Sequence, residues 1–130
     1  MKTALICIGL LALLIFVLGV AISATRNKTK KSIGYPDDPA SMLYKLGRAH
    51  GNATEFVPTL AILMLVLAMH AEPPQWVQGT MILATAARYS HAAGMILTPT
   101  LKRPHMLRFL GSLFTYLTGF ALIVALFVSL

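Results

Sequence analysis

Charge is scarce in this sequence, and negative charge scarcer still. Only 12% of the 130 residues are charged, and just four are acidic: Asp37, Asp38, Glu55 and Glu72. A soluble domain carries roughly 25% charged residues, so lipid rather than water is the solvent this composition expects. A single cysteine, Cys7, excludes an internal disulfide framework. Lying inside an apolar run, it reads as a buried structural thiol. The chain is too short for two domains, and it holds no internal repeat and no low-complexity segment. What it has in quantity is apolar surface: 57% of residues are hydrophobic, and the mean hydropathy is +0.74. The net charge of +7 would suit a nucleic-acid partner. Its placement excludes that reading, because the cations gather in two connections and at helix ends, as in proteins oriented by a membrane.

Four spans follow from length and apolarity, since a spanning helix needs ~20 mainly apolar residues. They run over residues 3–22, 42–70, 75–97 and 105–130, giving an all-α integral membrane four-helix bundle in one domain over 1–130. The second has a polar first half and a purely apolar second half from Phe56 to Met69. The third is interrupted by Arg88 and His91. A basic loop, Ser23 to Ser41, joins the first two spans; Ala71–Pro74 is a tight turn; Thr98–Pro104 joins the last two. Tyr35-Pro36-Asp37-Asp38-Pro39 is turn or extended chain, because each proline disfavours helix before it.

The first span superficially resembles a secretory signal, with Lys2, an apolar run and then Ala21-Ile22-Ser23-Ala24. Its apolar run exceeds the roughly 7–15 residues of a signal core, so an uncleaved anchor is expected. Arg26, Lys28, Lys30 and Lys31 in the first loop, with Lys45 and Arg48 beyond, and Lys102, Arg103 and Arg108 near the third connection, are expected on the cytoplasmic side. Both termini then lie outside.

Polar residues within the spans are where function is sought, because a charge at the bilayer centre costs ~2.5–3.5 kcal/mol on insertion scales. Arg48, Asn52 and Glu55 stand at i, i+4 and i+7 on the second helix, with Tyr44 one turn earlier. One helix face thus carries a cation, an amide and an anion in a row. Two readings stand side by side: an internal salt bridge with an amide spacer, or a cradle for a zwitterionic ligand. The second helix, ~43 Å long at 1.5 Å per residue, exceeds the ~30 Å hydrocarbon core, which puts Arg48 to Glu55 near the inner interface. Pro58 cannot donate to the Thr54 carbonyl and should loosen the helix beside Glu55. Arg88 is either the counter-ion of Glu55 or a ligand contact. Gly111, Thr115 and Gly119 form a small-residue stripe for close helix packing.

The segment Arg48-Ala-His50-Gly-Asn52-Ala-Thr-Glu55-Phe-Val-Pro58 resembles the second-helix signature of the membrane-associated proteins in eicosanoid and glutathione metabolism (MAPEG). The four spans, the tight second turn, the basic loops and Arg88-x-x-His91 are similar to that family too, so the resemblance covers nearly the whole chain. The Arg-x-His-Gly-Asn-Ala-x-Glu form is similar to its small bacterial branch, implying a multi-pass protein of a bacterial inner membrane.

The resemblance implies a homotrimer that binds glutathione between subunits near the cytoplasmic side, as cosubstrate for a transferase or peroxidase acting on lipophilic small molecules. By position, Arg48, Asn52 and Glu55 are implied to hold glutathione, with His50, Arg88, Tyr89 and His91 beside it. An arginine at the start of the fourth helix, Arg108 or else Arg103, is implied to stabilise the thiolate. Phe56, Ala93 and Met95 occupy positions where catalytic members often carry tyrosine, so the binding stripe is intact while the aromatic hydroxyl set is reduced. The alternatives are a non-enzymatic lipid-binding scaffold and a small four-helix exporter. Such exporters usually rely on an acid in the first helix, and this first helix has none. No metal site is expected.

Overall fold

The structure is a computed structural model, and it describes residues 1–70 and 72–130. These form four helices and no strands: α1 (Lys2–Thr29), α2 (Met42–His70), α3 (Gln75–Leu97) and α4 (Met106–Val128). Helices α1, α2 and α4 are each long and apolar enough to cross a membrane. Helix α3 has the same 23-residue length as α4, and of its polar residues the bundle buries Thr85, Arg88 and His91. The tight turn expected at Ala71–Pro74 lies partly outside the described residues.

Helices α1 and α4 each enter the bundle by a narrow stripe. On α1 the stripe is Ala4, Cys7, Leu11, Leu14 and Leu18; on α4 it is Gly111, Thr115, Thr118, Leu122 and Ala125. Both spacings alternate three and four residues, the period that keeps side chains on one helical face. Phe109, Phe120 and Phe127, more than 60% exposed, lie outside that stripe, as a lipid solvent permits. Helices α2 and α3 touch every other helix, whereas α1 and α4 do not meet. The α3–α4 pairing is the most extensive, and glycine makes it so. A Cβ on Gly111 would stand 2.5 Å from the His91 amide nitrogen, and one on Gly94 would stand 2.4 Å from that of Arg108.

One boundary differs from expectation by more than two residues. Helix α1 runs to Thr29 rather than ending at Ile22, so the basic loop is shorter. Hydropathy marks where lipid ends, and a helix can continue beyond that into water. Here Ser23, Thr25 and Thr29 bond back to carbonyls of the preceding turn, and Lys30 closes the helix in the left-handed conformation. Arg26 and Lys28 in the last turn also suit the negative end of the helix dipole.

The two basic connections lie together at one end. Leu101 N–H donates to the Pro39 carbonyl at 3.0 Å. Lys45, buried on α2, donates through Nζ to the carbonyls of Ile96 and Thr98 at 3.1 and 3.0 Å, closing the C-terminal end of α3. At the opposite end the Met1 ammonium pairs with Glu72 at 3.1 Å.

Candidate functional site

At the basic end, α2, α3, α4 and the 98–105 connection enclose an open cleft of about 520 Å³. Tyr44, Arg48 and Asn52 line it from α2, one turn apart; His91 and Met95 line it from α3; Arg108, Phe109 and Ser112 line it from α4. Leu101, Pro104 and His105 form its rim. Its volume falls in the ~300–1,000 Å³ range of small-molecule sites. Two guanidinium groups and an amide face it and no acid lines it, so it is suited to an anion.

Each cation is set differently. Arg48 is exposed and has no hydrogen-bond partner among the described residues. Arg108 is half-buried, with Nη1 bonded to the Leu101 carbonyl at 3.2 Å and Nη2 to the Arg103 carbonyl at 3.1 Å. Those carbonyls fix its guanidinium to the rim. Of the two arginines expected to compete for this place, Arg108 lines the cleft, while Arg103 is exposed and contributes its backbone oxygen.

Arg88 lies inside the bundle, only 1% exposed. It makes no ion pair with Glu55 among the described residues. Nη2 donates to Asn52 Oδ1 at 2.6 Å, Nη1 donates to Thr115 Oγ1 at 3.4 Å, and the guanidinium carbon lies 5.1 Å from the centre of the Phe56 ring. Phe56 in turn meets Tyr116 edge-on. One helical turn on, His91 is buried, its Nδ1 2.9 Å from the Arg108 carbonyl. A carbonyl only accepts, so Nδ1 is the donor; Nε2 is buried without a partner.

The other expected residues lie elsewhere in the single chain. Glu55 is exposed and outside the cleft lining. Three residues past Asn52, at 3.6 residues per turn, it falls roughly 60° short of a full turn round α2, away from α3. His50 faces α1, with Nε2 near Gly19. Tyr89 also faces α1, donating to the Leu10 carbonyl at 2.8 Å beside an apolar groove of about 550 Å³. A smaller apolar groove of about 150 Å³ runs between α2 and α4 from Phe56 past Tyr116 and Gly119 to Ile123.

Sequence reasoning missed His105 and Ser112 in the cleft, and it read Lys45 only as an orienting cation, whereas Lys45 closes the end of α3. Lys45 had a signal: it stands seven residues before Asn52, on the side of α2 that faces α3. His105 and Ser112 enter the cleft only through the path of the connection and the rotation of α4, which no spacing encodes.

An all-α integral membrane protein with a basic, anion-suited cleft at one end is the class this geometry defines. Residues 4–128 match the family model of the MAPEG family, nearly the whole chain. The protein belongs to that family, which includes glutathione transferases and peroxidases. Comparison with curated proteins and with solved structures gave no match.

Proposed function

We propose that this protein is a membrane-embedded, glutathione-dependent transferase or peroxidase acting on lipophilic electrophiles. Its ligand is held in the cleft at the cytoplasmic side, between neighbouring copies of a homotrimer. The observation that carries this reading is the convergence of Arg48, Asn52 and Arg108 on one space that no acid lines.

The donor set fits the ligand. Glutathione has two carboxylates, and guanidinium groups bind carboxylates by charge-assisted hydrogen bonds. Its α-ammonium needs an acceptor, and Glu55, exposed and without a cation within 4 Å among the described residues, is the acid on the next turn of α2. Arg48 and Glu55 are free charges on a helix apolar enough to span a membrane, and such charges take a partner or a ligand. His50 and Tyr89, turned to the α1 side, belong in this reading to the site of the adjacent copy.

When bound, glutathione supplies a thiol nucleophile for attack on an electrophile or peroxide. Arg108, fixed by the Leu101 and Arg103 carbonyls, favours the ionised thiol; a thiol near pKa ~8.5 gains nucleophilic form at neutral pH beside a cation. The α2–α4 groove from Phe56 onward offers an apolar surface beside the site for a partner molecule dissolved in lipid.

The test is a pH titration of bound glutathione, read by the near-ultraviolet absorbance of the thiolate. Arg108→Ala should raise the thiol pKa while leaving affinity at low pH nearly unchanged, and conjugation to a lipophilic aryl halide should slow with it. A titration unmoved by Arg108→Ala removes Arg108 from the thiol.

A further inference from the structure

One hydrogen bond beside the cleft has a direction fixed by chemistry. Arg88 Nη2 lies 2.6 Å from Asn52 Oδ1. A guanidinium has donors and no acceptor, so the amide oxygen must face Arg88, and the NH2 group is turned away from it. Asn52 lines the cleft and Arg88 does not. The guanidinium is enclosed by Asn52, Thr115 and the face of Phe56, leaving it no route to a molecule in the cleft.

We propose that Arg88 is a positioning residue that acts on the ligand through Asn52 alone, holding the amide so that its NH2 is presented to an anionic group in the cleft. A free asparagine amide can turn either its oxygen or its NH2 outward, and against a carboxylate only the second attracts. A buried cation removes that choice. It also polarises the amide, because hydrogen bonds to charged groups are the stronger ones. Arg88 and Asn52, on different helices, therefore form one functional unit, and the buried charge is retained for the orientation it imposes. This inference rests on the glutathione reading of the cleft and refines it: position 52 is a donor to a ligand carboxylate.

The experiment is a double-mutant cycle on the detergent-purified protein, with glutathione affinity measured by calorimetry. Arg88→Gln replaces a group that only donates with one that donates and accepts, so the amide is no longer locked. Asn52→Ala removes it. Each single variant should weaken binding about tenfold, the value of a hydrogen bond to a charged group. The double variant should bind within about twofold of Asn52→Ala, because coupled residues do not add. Arg88→Lys, again a donor only, should restore most of the affinity. Losses that multiply in the double variant overturn the proposal, since direct contact or general support of the fold would act in either background.

Asn52→Asp is a second reading that does not depend on Arg88→Gln folding. With one carboxylate oxygen held by Arg88, the other faces the ligand, and binding should fall below that of Asn52→Ala. Binding equal to the parent overturns the proposal. A parent protein that takes up no glutathione overturns the functional reading as well, whereas binding with independent losses overturns only the role given to Arg88.

Discussion

Arg88 and Glu55, the buried cation of α3 and the one acid within α2, do not pair. The guanidinium turns to Asn52, Thr115 and Phe56, and the carboxylate stands exposed on another side of α2. Among the described residues Arg88 has no acidic partner within 4 Å, and a buried charge without a close partner is costly, so an acid placed against it should stabilise the fold. Asn52→Asp gives Arg88 a counter-ion at the position of its shortest hydrogen bond. Thermal unfolding in mild detergent should show a higher transition temperature than the parent, because a hydrogen bond with one charged partner becomes an ion pair with two. An unfolding temperature lower than the parent's would mean that Arg88 is already neutralised by something else.

The α3–α4 contact depends on two glycines and not on a third. Gly111→Ala places a methyl group against the backbone of His91, and Gly119→Ala meets nothing within 4 Å. Overpacking of this kind costs ~1–3 kcal/mol. Gly111→Ala should be destabilised by about that amount, and because His91 bonds to the Arg108 carbonyl, it should also disturb the cleft. Gly119→Ala should unfold with the parent. Equal effects at the two positions would contradict the observed helix approach.

Orientation is open to chemical labelling. Cys7, the one native cysteine, is buried, so its background is low, and Cys7→Ala removes it. A cysteine at Lys30 should react only with reagents that enter the cytoplasm, and one at Gln75 should react from outside. The reverse pattern would turn the cleft to the other side of the membrane.

Assembly has its own readout. Free Arg48 and Glu55 on α2, and the His50 and Tyr89 side chains on the α1 side, are assigned to a site shared between copies. Native mass spectrometry in mild detergent should give three chains. A stable monomer across detergents would leave those residues without a common ligand.

The helices were legible where sequence and solvent agree. Residues 42–70 and 75–97 stand in the structure as read, because prolines border both and apolar residues fill them. The end of α1 was not, since the polar Ser23–Thr29 segment is helical for reasons of backbone bonding rather than burial. Within the site, Tyr44, Arg48 and Asn52 line the cleft from one face of α2, whereas Glu55, expected on the same stripe, lies outside its lining. The partner of Arg88 was hidden, because two acceptors, Asn52 and Glu55, stand one turn apart on α2 and spacing cannot tell which faces α3. Rotation of α2 about its axis decides that, and it is set by Ala49 and Ala53, whose small side chains are fully buried. Thr115 looked like a packing residue for the same reason: its hydroxyl matters only once Arg88 is known to reach it.

The most direct test of the account is a calorimetric titration of the detergent-purified protein with glutathione, beside Arg48→Ala and Glu55→Gln. The account predicts saturable binding by the parent. It predicts about tenfold weaker binding in each variant, since each removes one charged hydrogen bond to the ligand. No saturable heat from the parent, or affinities unchanged by both substitutions, would contradict the assignment of this cleft to glutathione.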